Sequence, residues 1–374
     1  MKVALELQPC CGNRSGIGTY TYELAKRLQD SDGLEFAGNV FNFLHRNDNA
    51  SALAGIQMPV RTQTCIPYGV YRRIWHIVPL SYGMMFLDAD LSIFFNYIVP
   101  PRVKGKIITT IHDMTYLRFP ETMDRRNLTR ITKDIRSSVV RSNHILAVSE
   151  FSKQEIIELL QIEPEKISVV YNAPSVPAEQ VPANVLAERY GVQPPYLLYV
   201  GTIEPRKNLV RLIRAYEQLR NESKFSHQLV LAGGNGWGTE EVHRTAQESK
   251  YTKDIIFTGY ISGAEKSALY AGAAAFLFPS LYEGFGIPPL EAMHFGCPVV
   301  CANAASLPEV VGEAAELVNP MDTNSISHGI WRVLSDVDYA ARLSALGLDQ
   351  VKKFTWEASA QKLTEICRRV LEEP

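Results

Sequence analysis

Two glutamates, Glu283 and Glu291, stand eight positions apart in the stretch SLYEGFGIPPLEAMHFG, residues 280–296. Carboxylates in such a pair can work as acid and base on a glycosidic bond, or can accept hydrogen bonds from the hydroxyls of a bound sugar. On a single helix they would sit about 80° apart around the axis, a poor arrangement for one shared site. The intervening residues point elsewhere. Gly284 and Gly286 favour a turn, and Pro288 and Pro289 suit the first turn of a helix that runs through Met293 and stops at Gly296. Glu283 is therefore expected on a loop and Glu291 on the helix that follows it. The loop Gly284-Phe285-Gly286 ahead of that helix can offer backbone N–H groups to a sugar or phosphate oxygen.

Arg206 and Lys207 form the most informative pair of cations. The reading places them in the first turn of a helix, where the macrodipole disfavours positive charge and Glu204 offsets only part of the cost. A bound pyrophosphate explains their presence, and two solvated surface side chains are the alternative.

These residues depend on the elements that carry them. The first half opens with the apolar run Val3 to Leu7, a turn GNRSGIG, and a helix with Tyr20, Leu24 and Leu28 on one face. The runs LSIFF, KIITTI, HILAV and ISVVY then alternate with helical segments. The second half repeats the plan with YLLYVG, QLVLAG, DIIFTG, AFLFPS and PVVC, and Ser262 with Glu265 forms a capping-box pattern before one of its helices. Short continuous apolar strands between amphipathic helices read as parallel sheets covered on both faces. The fold class expected is α/β, two doubly wound domains in tandem, with the five-proline segment 172–195 as the linker and a cleft between the domains for one ligand.

Open parallel sheets bind ligands beyond the carboxyl ends of their strands, which singles out the residues after each run. In the first half these are Gly16 and Gly18, His112 with Asp113, Ser149 and Asn172. In the second they are the segment GTIEPRKN that includes Thr202, the segment GGNGWG that includes Gly233, Tyr260 after Gly259, and the Glu283 stretch itself. His112 is either a satisfied core histidine or a ligand-facing group, and Ser149 reads more simply as a helix cap. Gly16 and Gly18 lack the full dinucleotide-binding spacing. The triplet Asp88-Ala89-Asp90 precedes its strand, the wrong end of the sheet for a metal-binding carboxylate pair, and no metal is expected.

Composition narrows the function classes. The chain has 374 residues, 46% of them hydrophobic, and a net charge of −2, an ordinary globular protein long enough for two cores. Residues 61–141 hold ten Arg and three Lys against five Asp and one Glu. That is not the footprint of a nucleic-acid partner, whose excess would be larger and interleaved with stacking aromatics, but it suits either a solvated face or contact with an anionic acceptor or membrane. The segment YGVYRRIWHIVPLSYGMMF mixes Arg with Trp, Tyr and Met as an interfacial helix would, though a buried helix needs the same apolar residues. Six cysteines without metal or disulfide spacing, a polar amino terminus and no long apolar run give a cytoplasmic protein as the expectation, with peripheral contact at the inner membrane face as a further one.

Along nearly its whole length the sequence resembles the retaining glycosyltransferases of family 4, which have two Rossmann-like domains in the GT-B fold. The resemblance is carried by EGFGIPPLEA, SGIGTYTYELAKRL, IHD, AVSEFSK, VVYNAP, YVGTIEPRKNL, LVLAGG, IIFTGYIS and the closing FTWEASA. It implies transfer of a sugar from a nucleotide diphosphate donor to a glycan or lipid-linked glycan, with anomeric configuration kept and neither cofactor nor metal required. It implies an acceptor-side domain at 1–173, a nucleotide-sugar domain at 174–355, and a helix from 356 to 374 that packs back on the first.

Carried over by position, Glu291 would bind the donor ribose and Glu283 the sugar hydroxyls. Phe285 and Gly286 would offer N–H groups, with Gly284 and Ile287 beside them. Arg206 and Lys207 would neutralise the diphosphate, and His112 would contact the sugar near the reacting carbon. Gly16, Gly18, Thr202, Gly233 and Tyr260 fall at donor-side positions, and Asp113, Ser149 and Asn172 at sugar or acceptor positions. Many members carry Arg where Thr202 stands, so Arg206 would have to supply that charge. The segment GTIEPRKN looks like the version in bacterial mannosyltransferases of surface-polysaccharide assembly, which makes GDP-mannose the expected donor and a UDP-sugar the alternative. A hydrolase, or a nucleotide-sugar binder without activity, are the rival classes.

Overall fold

The computed structural model describes residues 1–12, 16–28, 33–45, 49–78, 81–175, 177 and 179–373. Asn13, Arg14 and Ser15 of the first turn, and residues 176 and 178 of the linker, lie outside the described residues. The chain forms two compact units. Unit 1 comprises residues 1–116, 125–172 and the segment from Thr355 onward; unit 2 comprises Leu117–Asp124 and Ala173–Phe354.

Unit 1 is built on seven strands: β1 (Lys2–Glu6), β2 (Glu35–Phe41), β3 (Val60–Gln63), β4 (Leu91–Phe94), β5 (Lys106–Ile111), β6 (His144–Ala147) and β7 (Ile167–Val169). Their spatial order is β3-β2-β1-β4-β5-β6-β7, and every pair is parallel. Strands β4 and β6 are buried at every position, as continuous apolar runs covered on both faces must be. The last helix, Trp356–Glu372, belongs to this unit. Its Leu363, Ile366 and Val370 are buried, the Trp356 ring meets Tyr20 edge-on at 6.1 Å, and Ser359 Oγ donates to the Tyr171 carbonyl at 2.7 Å.

Unit 2 carries β8 (Tyr196–Val200), β9 (Gln228–Ala232), β10 (Ile255–Gly259), β11 (Ala273–Phe278), β12 (Val299–Ala302) and β13 (Ala315–Val318), in the order β10-β9-β8-β11-β12-β13, all parallel. Tyr199, Phe276 and Phe278 are fully buried in its core. Each contributes about 2–3 kcal/mol by leaving water. The capping box is present, with Ser262 Oγ accepting from Glu265 N at 3.3 Å and Glu265 accepting from Ser262 N at 2.7 Å.

In both sheets the chain builds outward from a central strand, returns, and builds the other way. The resulting switch points fall between β1 and β4 in unit 1 and between β8 and β11 in unit 2. Crevices at the carboxyl ends of such strand pairs are where doubly wound folds bind ligands.

The segment that suited either an interfacial or a buried helix is two short helices, Tyr68–Ile74 and Tyr82–Phe86. Tyr71, Trp75, Tyr82 and Phe86 are buried in one cluster with Phe41 and Phe94. Its aromatic residues are therefore core, while Ile77, Met84 and Leu87 are 82%, 67% and 66% exposed.

Candidate active site

The β8–β11 switch point of unit 2 brings together the loops that follow both strands. After β8 the backbone passes Gly201 and Thr202 to a short 3-10 turn, Pro205–Lys207. Asn208 then adopts a left-handed conformation (φ 63°) before the helix Leu209–Glu222 begins. Arg206 and Lys207 thus lie on a separate turn and not in the first turn of that helix, a correction to the sequence reading. The cause is Asn208, whose Nδ2 donates to the carbonyls of Pro279 at 3.0 Å and Pro320 at 2.7 Å and so pins the turn to the ends of β11 and β13.

After β11 comes the glutamate loop. Glu283 precedes the helix Ile287–His294, in which Glu291 lies, and Pro288 sits in the first turn as expected. Gly286 caps the helix at φ 109°, where a Cβ would stand 2.6 Å from Leu307 Cδ2, so no other residue fits without displacement. Ser306 Oγ lies 2.9 Å from the Glu283 carbonyl and 2.8 Å from that of Phe285, one hydroxyl proton shared between two acceptors. The Phe285 ring packs edge-on against Phe354 at 5.5 Å. Ile287 opens the helix and is half-buried.

The two loops meet through charge. Glu283 Oε1 pairs with Lys207 Nζ at 2.6 Å and Oε2 with Arg206 Nη1 at 2.8 Å, while Arg206 Nη2 pairs with Glu204 at 2.6 Å. Leu281 N donates to the Arg206 carbonyl at 2.9 Å, adding a backbone tie. Lys207 Nζ also stands 5.2 Å over the centre of the Phe278 ring. Burial pushes the Glu283 carboxyl up, but Arg206 and Lys207 outweigh it and hold its pKa down at about 2. The sequence reading left positive charge in excess here. In the structure two carboxylates balance two cations, so an anion would be met by directed N–H donors more than by net charge.

Glu291 lies in a second cluster. Its carboxylate accepts from Lys266 Nζ at 2.6 Å and Tyr270 Oη at 3.0 Å, both on the helix Gly263–Gly272. The two glutamates therefore engage different partners. Held ionised by Arg206 and Lys207, Glu283 is unsuited to the general-acid role.

Other residues named from sequence take varied places. Gly233 (φ 146°) lies where a Cβ would stand 2.0 Å from the Gly201 carbonyl oxygen, so its role is close backbone packing between β8 and β9. The Thr202 carbonyl accepts from Tyr199 Oη at 3.1 Å, and Tyr260, after β10, is 75% exposed.

Within unit 1, Gly16 and Gly18 sit inside the helix Gly16–Arg27 and not in the turn before it; a Cβ at Gly16 would meet nothing within 4 Å. His112 is buried after β5, with Nε2 2.7 Å from the Phe95 carbonyl and its ring edge-on to Tyr20 at 5.3 Å. A carbonyl only accepts, so Nε2 carries the proton and Nδ1 is the lone-pair nitrogen of the neutral ring. Burial lowers the pKa of His112, against the opposing pull of the Phe95 bond and Asp113. Asp113 Oδ1 accepts from Thr115 N at 2.9 Å, Ser149 caps the helix Glu150–Leu160 by accepting from Ser152 N, and Asn172 is buried beyond β7. Asp88 pairs with Lys104 at 2.8 Å and Asp90 accepts from Lys2 N at 2.7 Å, both ahead of β4.

Sequence reasoning did not name Asn208, Lys266, Tyr270 or Ser306. Lys266 and Tyr270 share one helix face at i,i+4, but nothing local says that the face meets Glu291.

Two doubly wound units, one with paired cations and a buried carboxylate at its switch point, define the GT-B class of glycosyltransferase folds. The family model "Glycosyltransferase Family 4" matches residues 14–175, and "Glycosyl transferases group 1" matches residues 187–347. The chain is 32% identical to O-antigen chain mannosyltransferase B of Escherichia coli, over 96% of this chain and 97% of that one. It is 30% identical to the serotype-specific mannosyltransferase WbdA of Escherichia coli, over 80% of this chain but only 38% of that longer protein. The crystal structure of Anabaena Alr3699/HepE in complex with UDP and glucose superposes with a TM-score of 0.76 at 19% identity, covering 99% of this chain and 100% of that one. The chain belongs to glycosyltransferase family 4 and is a glycosyltransferase. Among the described residues no helix is long and apolar enough to cross a membrane.

Proposed function

We propose that the chain moves mannose from GDP-mannose to a hydroxyl of a glycan or lipid-linked glycan, with retention of anomeric configuration and without a metal. The observation that carries this is the Arg206–Lys207–Glu283 cluster at the switch point of unit 2. Likeness to mannosyltransferases of O-antigen assembly supports the sugar, and the Anabaena structure that holds UDP and glucose keeps a UDP-sugar as the second reading.

Lys207 spends one of its three N–H bonds on Glu283, and the others can be given to a diphosphate oxygen. As the glycosidic bond breaks, negative charge grows on the departing phosphate, and preorganised donors stabilise it without reorganising. The acceptor hydroxyl attacks from the side the phosphate leaves, and the phosphate takes its proton. No protein nucleophile is then required. Glu283, fixed as a carboxylate, accepts from donor-sugar hydroxyls, Glu291 accepts from the ribose, and the neutral His112 offers Nδ1 as an acceptor to the sugar.

A panel of GDP- and UDP-sugars with acceptor glycosides, products weighed by mass spectrometry and their anomeric configuration read by NMR, tests the reading. An inverted product, turnover abolished by chelator, or no transfer from GDP-mannose each refutes the corresponding clause.

Contact of unit 1 with an anionic membrane is part of the proposal, favoured by exposed Ile77, Met84 and Leu87 beside the exposed Arg73. Pelleting with anionic liposomes should be salt-sensitive, and absence of binding removes that clause.

A further inference from the structure

Unit 2 takes in one segment from the first half of the chain. After Tyr116 the chain leaves unit 1, runs through Leu117–Asp124 as part of unit 2, and returns to unit 1 at Arg125. Pro120 opens a 3-10 turn in this segment, Pro120–Thr122, where its fixed φ suits the first position. Thr122 closes the turn by donating twice to the Phe119 carbonyl, from N at 3.0 Å and from Oγ1 at 2.8 Å. The segment is thus a stiff strap that enters at Phe119.

The strap meets both loops of the β8–β11 switch point. The Phe119 ring packs on the Tyr282 ring at 5.6 Å, and Tyr282, 3% exposed, directly precedes Glu283. The Tyr282 carbonyl accepts from Arg206 Nη1 at 2.5 Å, the same nitrogen that pairs with Glu283. The Thr122 carbonyl accepts from Trp237 Nε1 at 2.6 Å. Trp237 follows a stretch laid flat on the loop after β8. There Gly236 N donates to the Ile203 carbonyl at 2.9 Å, Ile203 N donates to that of Gly234 at 3.0 Å, and a Cβ at Gly236 would stand 2.8 Å from Thr202 Cγ2.

A guanidinium on its flexible stem loses rotamer freedom when held, and a carbonyl on a loose loop cannot hold it. The ring contact fixes the Tyr282 carbonyl, the carbonyl fixes Nη1, and Nη1 fixes the Glu283 carboxylate. Donors already in place stabilise growing charge without moving, so slack in this chain of contacts weakens the transition state more than ground-state binding. We propose that Phe119 is a positioning residue for the Arg206–Glu283 pair, acting through Tyr282, and that Trp237 anchors the strap from the other loop. The catalytic benefit rests on the transferase reading above; the positioning itself does not.

The tests are turnover from GDP-mannose at saturating substrates, GDP affinity by calorimetry, and acid unfolding, all on the full chain. In Phe119→Ala turnover should fall about tenfold or more, while GDP affinity changes by less than about threefold. Phe119→Tyr keeps the ring and should stay within about twofold of wild type, and Trp237→Phe, which loses the N–H, should fall about threefold. Acid unfolding separates positioning from plain packing. Against burial, Arg206 and Lys207 hold the Glu283 pKa at about 2, with Tyr199 and Cys301 beside it kept neutral by burial. The stability this gives is lost as pH falls from 4.5 towards 2. A slackened pair lets the folded pKa rise, so Phe119→Ala should be flatter than wild type across that window, whereas lost packing lowers stability equally at every pH. Phe119→Leu, which keeps bulk without the ring, gives the same signs where Phe119→Ala does not fold. Wild-type turnover in folded Phe119→Ala, a Phe119→Tyr protein equally slow, or an unchanged acid slope each overturns the proposal, and full activity in Trp237→Phe overturns the anchor. A wild type that transfers nothing from GDP-mannose defeats the donor reading alone, and the acid slope still decides the positioning.

Discussion

Replacing Lys207 by Ala removes one cation from a cluster whose charges otherwise cancel. The structure leaves Glu283 with Arg206 at 2.8 Å, so its carboxylate keeps a partner and the loop keeps the backbone tie from Leu281 to Arg206. Losing one partner of a buried pair costs about 3–5 kcal/mol when the other is abandoned. With Arg206 retained, about 2 kcal/mol is expected, a fall of roughly 4–8 °C in the melting temperature of a unit this size. The effect on catalysis is larger. The cluster changes from neutral to a net charge of −1 where the diphosphate is proposed to lie, and a unit charge about 4 Å away at an effective dielectric near 20 is worth about 4 kcal/mol. Loss of one preorganised donor costs about 3 kcal/mol by itself, so turnover should fall by at least two orders of magnitude. The assay is transfer from GDP-mannose at saturating donor and acceptor, with circular dichroism and thermal melting on the same sample. Lys207→Arg restores the charge and should recover part of the rate. Normal turnover in a folded Lys207→Ala protein would falsify the electrostatic argument, whatever the melting temperature does.

Acid should weaken unit 2 through Glu283. Its pKa is depressed to about 2, so the stability it contributes is fully present above the unfolded carboxylate's value near 4.5 and is lost as pH falls from there towards 2, on the order of 3 kcal/mol; Glu283→Gln should be less stable at neutral pH and flatter across that window in acid unfolding, and an unchanged slope would contradict the pairing. Glu291→Gln leaves Lys266 without its charged partner and weakens the proposed ribose contact, so GDP affinity by calorimetry should drop about tenfold, some 1.4 kcal/mol, with a smaller change in turnover at saturating donor. Gly286→Ala forces a Cβ to within 2.6 Å of Leu307 at φ 109° and should cost about 2–3 kcal/mol in thermal unfolding; a wild-type melting temperature would show that the loop relaxes freely.

What the sequence made legible were features whose causes are local. Pro288 and Pro289 after two glycines put Glu283 on a loop and Glu291 on a helix because those residues restrict or free the backbone wherever they occur. The capping box at Ser262 and the cap at Ser149 were readable for the same reason. The register of Arg206 and Lys207 was not, because the left-handed turn at Asn208 is held by carbonyls 71 and 112 residues away. Nor could sequence show that Glu283 would balance the charge that Glu204 leaves over, since ion pairing across 76 positions is decided by the strand order β8-β11. In the same way, the mixed apolar and basic stretch 68–86 divided into a buried aromatic cluster and a few outward residues only once β2, β4 and β5 supplied a surface to cover.

The two units solve one physical problem in opposite ways. Each ends its central strand near a buried carboxyl group at a switch point. In unit 2 the carboxyl, Glu283, is surrounded by cations and stays charged down to about pH 2; in unit 1 it is Glu6, one oxygen of which has no partner among the described residues, and burial keeps the group protonated to about pH 8. At neutral pH the first is a fixed anion that orients cationic N–H donors, and the second is an uncharged group able both to give and to take a hydrogen bond.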